Sequence, residues 1–102
     1  MTIDDLMDNN NYDVIGKVEE ILPLKSGLSK NGFWTSRSVV ISTDGKYKNN
    51  LFFICWQEVS GKLESLKPGD LVIVSFYINS KKNNGRWYPD LLVTDIKLKH
   101  IY

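Results

Sequence analysis

The fold of this chain is limited most by one pattern, a series of short strand-like runs interrupted by a single helix-like segment. Residues 12–23, 33–43, 51–57, 70–80 and 86–97 are rich in β-branched and aromatic side chains, and glycine and asparagine clusters separate them. Between the third and fourth runs, Val59, Leu63 and Leu66 recur at i, i+4 and i+7, the spacing of one helix face. Pro68-Gly69 then stops the helix. The pairs Asp44-Gly45 and Asn49-Asn50 tolerate positive φ and are expected to bracket a hairpin connection between the second and third strands. The predicted order is β-β-β-α-β-β.

A chain of 102 residues makes one domain with one core. Five strands with a short helix between the third and fourth match an all-β, five-stranded Greek-key barrel of OB-fold type, here spanning residues 12–102. In that barrel the connections between strands 1 and 2 and between strands 4 and 5 flank the binding face. Residues 1–11 (MTIDDLMDNNN) are acidic and without periodicity, which predicts a flexible N-terminal arm. Neither internal repeats nor a second domain are expected within these residues.

The same two connections lie in stretches with no aspartate or glutamate, residues 21–43 and 71–89. The first carries Lys25, Lys30, Phe33, Trp34 and Arg37, and the second carries Phe76, Tyr77, Lys81, Lys82, Arg86, Trp87 and Tyr88. Phosphates need cations free of competing carboxylates, and unpaired bases need flat π faces to stack on. Both windows supply both. The overall charge of +1 hides this, because residues 1–13 hold four acids (Asp4, Asp5, Asp8, Asp13) and no lysine or arginine. Without that segment 13 basic residues face 8 acidic ones, a balance of +5 that suits moderate phosphate binding.

Alternation along each strand sorts the aromatics. In residues 70–80, Val72, Val74, Phe76 and Ile78 share one face, so Phe76 is expected in the core and Tyr77 outside it. In residues 86–97, Trp87 falls with Leu91 and Val93 and is expected to be mainly a core residue, opposite Arg86 and Tyr88. Trp34 begins a stretch of small polar residues (Thr35, Ser36, Ser38), and with little apolar company nearby in sequence it is expected to be free to stack on a base. The run 51–57 is apolar on both faces, Leu51, Phe53 and Cys55 against Phe52, Ile54 and Trp56, so period alone leaves its inward face open. Trp56 either caps the core or stacks on bases. A two-sided apolar strand in so small a chain also predicts self-association.

Other chemistries find no support. The only histidine, His100, is the third residue from the end of the sequence, and no cysteine–histidine cluster or glycine-rich phosphate loop is present. Glu19 and Glu20 are adjacent on a strand and point to opposite faces. The expectation is a protein that is not an enzyme and has no metal, cofactor or small-molecule substrate. Cys55 has no partner for an intramolecular disulfide and lies among apolar residues, which fits an inert buried thiol in a reducing cytoplasm. No apolar run of 18 residues and no leader pattern is present, so membrane insertion is not expected.

The strings PLKSGLSKNGFW at 23–34, LKPGDLVIVSFYI at 66–78 and NGRWYPD at 84–90 resemble a small family of bacterial and phage OB-fold proteins known as a domain of unknown function. More distantly they are similar to bacterial single-stranded DNA-binding proteins. The resemblance covers about residues 13–97. It implies that Trp34, Trp56 and Tyr88 fall on or next to a stacking face. Those proteins end in an acidic recruiting tail, whereas this sequence ends LKLKHIY, so strand coating transfers better than tail-mediated recruitment. The combined expectation is sequence-tolerant binding of single-stranded DNA in replication, recombination or repair, by a homo-oligomer in the cytoplasm, or the host cytoplasm if phage-encoded. Its contacts would come from Lys25, Lys30, Phe33, Trp34, Arg37, Trp56, Tyr77, Lys81, Lys82, Arg86 and Tyr88. The alternative is a protein–protein adaptor of the same fold. Sequence does not separate DNA from RNA, because the 2′-hydroxyl is read by local geometry.

Overall fold

The computed structural model of the chain describes residues 2–3 and 9–99. Asp4, Asp5 and Asp8 of the expected acidic arm, and His100, lie outside the described residues. All five expected strands are present: β1 (Tyr12–Ile21), β3 (Gly32–Asp44), β4 (Lys48–Trp56), β5 (Leu71–Asn83) and β6 (Arg86–Leu98). A sixth, short strand, β2 (Lys25–Ser29), lies where a loop was expected. The helix between β4 and β5 is one turn, α1 (Glu58–Gly61), followed by a 3₁₀ turn at Lys62–Ser65.

The strands close into a barrel. β1 pairs antiparallel with β5 and also with β3, and the circuit is completed through β6 and β4, which run parallel to each other at Phe53–Leu91 and Ile54–Leu92. This is the OB-fold, with β2 added as a hairpin on the edge of β3. The switch of β1 from β5 to β3 takes place at Lys17, which is paired with both, next to the buried Gly16. A Cβ on Gly16 would stand 2.4 Å from the Ser42 carbonyl oxygen and 2.6 Å from Ile41 Cγ2, so only glycine allows the two strands to approach this closely.

The interior is made by alternate residues. Val18, Val39, Ile41, Phe53, Cys55, Val72, Val74, Val93 and Ile96 are buried together, and Leu63 of the 3₁₀ turn closes one end of the barrel. Phe76 packs against this cluster with its ring edge-on to Phe53 at 4.9 Å between centroids. The open choice at β4 is thereby decided: Phe53 and Cys55 are buried with Leu51 partly so, and Phe52 and Trp56 are exposed on the outer face. Burial pushes the Cys55 thiol up to about 12, so it stays protonated in the core. The helical segment is tied to the barrel by the Lys62–Asp95 ion pair, with Lys97 a further 3.5 Å neighbour of the same carboxylate.

Two expectations need correction. Asn49-Asn50 do not form the end of the β3–β4 turn; they sit within the ladder, opposite Thr43 and Ser42, and the turn is made by residues 45–47. Trp87 is not a core residue but is 66% exposed. It does share a strand face with Leu91 and Val93, as alternation requires. However, β1 pairs with β5 only as far as the Tyr12–Phe76 register, and β6 meets β4 only at Leu91 and Leu92. Beyond those points β5 and β6 continue as a two-stranded hairpin, held at its base by the Asn10 side chain, which donates to the Ile78 carbonyl oxygen and accepts from the Ile78 N–H, and turned at Asn84-Gly85, both with positive φ. The face that carries Trp87 has no core left to meet, and its ring is accompanied by the Lys82 ammonium at 5.9 Å from the centroid.

Trp87→Ala is therefore expected to cost within about 0.5 kcal/mol, whereas Phe53→Ala should cost about 3–5 kcal/mol. Urea denaturation of the two variants checks the contrast, and comparable losses would return Trp87 to the core. Gly16→Ala should be the most damaging small change, about 3 kcal/mol or more, because the added methyl meets a backbone carbonyl that cannot move without opening the barrel seam. A Gly16→Ala protein as stable as the parent would show that closure does not rest on that contact.

Candidate nucleic-acid interface

Register fixes which side chains share the outer face. On β3 and β4, Ser36 lies opposite Trp56, Ser38 opposite Ile54 and Val40 opposite Phe52. Ile54 lies beside Leu92 of β6, and Leu92 opposite Tyr77 of β5, so Ser38, Ile54, Leu92 and Tyr77 form one row across four strands. Further along the β5–β6 hairpin the same face carries Asn79 with Asp90 and Lys81 with Tyr88. On the other flank, β2 places Lys25 opposite Ser36 and Gly27 opposite Trp34. The result is an aromatic band bounded by two hairpins that carry basic residues.

Trp34 is set differently from what its sequence neighbours imply. Its apolar company comes from across the sheet: its ring meets Trp56 edge-on, 5.7 Å between centroids and 62° between planes. A Cβ on Gly27 would stand 2.7 Å from Trp34 Cζ2, so the indole lies directly over that glycine. The ring is half-buried and held in place rather than free. Trp56 presents 40% of its surface, Phe52 50%, Tyr77 38% and Tyr88 49%, which leaves several aromatic faces open to solvent on one side of the barrel.

The other predicted residues divide by strand parity. Lys25, Tyr77, Lys81, Arg86 and Tyr88 share the outer face with Trp34 and Trp56, and Lys30 is exposed in the β2–β3 turn. Phe33 is paired with Leu28 on the opposite side of the β2–β3 hairpin, and Lys82 faces away with Trp87. Arg37 pairs with Cys55, on the side opposite Trp34, and its Nε donates to the Leu22 carbonyl oxygen at 2.8 Å. Sequence reasoning missed Phe52, whose exposure follows only once Phe53 is known to point inward. It also missed Leu22 and Pro23, which with Lys25, Trp34, Ser36, Ser38, Phe52, Ile54 and Trp56 line a cavity of about 280 Å³ at the β3 end of the band.

Charge is segregated in the same way. Glu19 pairs with Lys48 at 3.2 Å, and hydrogen bonding from Ser42 and then from Lys48 holds its carboxyl below the usual range. Asp95 is likewise lowered, first by its bond from Lys62. These carboxylates are occupied away from the aromatic band. On the band itself Asp90 lies 3.9 Å from Lys81. Lys25, Lys30 and Arg86 have no ion pair among the described residues, so their charge is available to an anion. Among the described residues no three metal-ligating side chains come together, and no helix is long and apolar enough to cross a membrane.

Several solved structures share this fold. The SSB domain of a Synechococcus protein superposes with a TM-score of 0.64 at 17% identity, covering 85% of this chain and 92% of its own. A mitochondrial single-stranded DNA binding protein from S. cerevisiae gives 0.66 at 18% identity, covering 86% and 92%. The protein PriB from Ralstonia solanacearum gives 0.64 at 11%, covering 89% and 98%. No curated protein matches the sequence. The family of a domain of unknown function (DUF3127) matches residues 13–97, and the chain belongs to that family.

Proposed function

We propose that this protein binds single-stranded DNA with broad sequence tolerance, protecting exposed strands during replication, recombination or repair. The observation that carries the reading is the Trp34–Trp56 pair, continued by Phe52, Tyr77 and Tyr88 on one face of the barrel and flanked by hairpins with uncommitted cations. Bases of a single strand can stack on these rings, and Lys25, Lys30, Lys81 and Arg86 can follow the phosphates at the two margins. In a duplex the bases are already stacked, so the aromatic band has nothing to offer it. Structures of similar fold that are named for single-stranded DNA binding support the same reading.

Tryptophan fluorescence titrated with oligo-dT at low salt is expected to show binding that an equal-length duplex does not match. The affinity should fall with salt at a log–log slope of about −2 to −4, the range for about three to five phosphate contacts on a single strand. Charge reversal at Lys81 and Arg86 should weaken binding and leave the melting temperature within a few degrees. Duplex binding as tight as single-strand binding, or no response to salt, would contradict the reading. Oligo-U in the same titration decides between DNA and RNA.

We infer also that the protein self-associates, through apolar side chains that lie off the aromatic band. Leu28 and Phe33 form an exposed cross-strand pair, and Trp87 and Ile78 are exposed on the far side of the β5–β6 hairpin. A dimer or tetramer is the expected species in sedimentation at tens of micromolar protein, and a sharp monomer would refute it. A protein that self-associates but ignores oligo-dT would be an adaptor instead.

A further inference from the structure

We propose that the cavity at the β3 end of the aromatic band is a single-base subsite that selects keto-edged bases, thymine or uracil over cytosine, with Ser36, Ser38 and Lys25 as the specificity-determining residues. The inference rests on the single-strand reading and adds to it one position at which tolerance gives way to preference.

The floor of the cavity is polar and its walls are not. Ser36 and Ser38, alternate residues of β3, form the floor. Trp56 and Ile54 stand beside them on β4, with Phe52 next in line. The opposite wall is Leu22 and Pro23, placed by the Leu22 N–H bond to the Ser38 carbonyl oxygen at 2.9 Å. Arg37 secures that wall from the other side of the sheet through its bond to the Leu22 carbonyl, so it is a positioning residue. The volume, about 280 Å³, falls just below the roughly 300–1,000 Å³ of drug-sized ligand sites, which suits one base rather than a stack.

The polar groups decide which base. Two hydroxyls can donate or accept, the Lys25 ammonium at the rim only donates, and the lining contains no carboxylate or side-chain amide. No hydrogen bond among the described residues uses the Ser36 or Ser38 hydroxyl, so both can serve a ligand. Thymine and uracil offer a carbonyl oxygen where cytosine carries an amino group. At the C4 position a carbonyl oxygen accepts from the Lys25 ammonium or from either hydroxyl, whereas the cytosine amino group can donate only to a hydroxyl oxygen and meets the lysine donor to donor.

The test is fluorescence anisotropy with dT, dU and dC oligomers of about 12 nucleotides, within the 4–16 nucleotide range of one OB-fold. The parent protein should bind dT and dU on the order of tenfold tighter than dC. In Ser36→Ala/Ser38→Ala the ratio should fall to about one with little change in the melting temperature. Lys25→Met, at an exposed position that cannot unfold the barrel, should lower the ratio by itself. Lys81→Glu, outside the cavity, should weaken all three oligomers equally. A parent that binds dT and dC alike, or a ratio that survives both cavity variants, would overturn the subsite while leaving single-strand binding intact. Failure to bind any of the three would overturn the single-strand reading and the subsite together.

Discussion

Everything in this molecule depends on β1 passing close enough to β3 at Gly16 to exchange one neighbouring strand for another. The strand is paired with β5 from Tyr12 to Lys17 and with β3 from Lys17 to Ile21, with the register shifting between Val18 and Glu20. A side chain at that position would collide with the backbone of Ser42. Without the exchange the sheet would stay open, with two long unpaired edges. Closure bends the outer surface as well as enclosing the core. It brings β2, β3, β4, β6 and β5 around one curved face, so that Lys25 at one margin and Tyr77 at the other belong to the same surface although 52 positions separate them in sequence.

The same geometry divides the labour of the side chains. Inward positions are given to valine, isoleucine and phenylalanine, whose burial drives folding, and outward positions of the same strands carry tryptophans and a phenylalanine that remain in water. Exposing large rings costs solubility and invites association, so their presence on one face needs a compensating use. The carboxylates are distributed consistently with that use. Glu19 and Asp95 are bound to lysines elsewhere, while Lys25, Lys30 and Arg86 have no ion pair among the described residues. Asp90, the carboxylate within the band, is set against Lys81 and softens the potential at that end, which leaves the Lys25 end the more attractive to phosphate.

Much of this was legible in the amino-acid order, and the failures have definite causes. The strand order and the helix were readable because Val59, Leu63 and Leu66 change the period from 2 to 3.6, and Pro68-Gly69 punctuates it. Strand β2 was not, because KSGLS is a serine- and glycine-rich string that becomes a strand only when β3 offers it an edge. At Trp87 alternation gave the correct face, but periodicity cannot say where a strand outruns its barrel. At Trp34 the surrounding small polar residues implied isolation, yet the ring packs on Trp56, 22 positions away, and over Gly27 on the neighbouring strand. The two acid-free windows fall on the two hairpins that border the aromatic band, but parity within each hairpin was needed to separate Lys81 from Lys82 and Trp34 from Phe33.

The most direct test of the central claim uses the three tryptophans as reporters, because each occupies a distinct place relative to the proposed strand path. In a two-dimensional ¹H–¹⁵N spectrum each indole N–H gives its own resonance. Addition of oligo-dT is predicted to move the resonances of Trp34 and Trp56, which form the edge-on pair on the outer face, and to leave Trp87 on the far side of the hairpin where it was. A shift confined to Trp87, or no shift at all at saturating oligomer, would contradict the account.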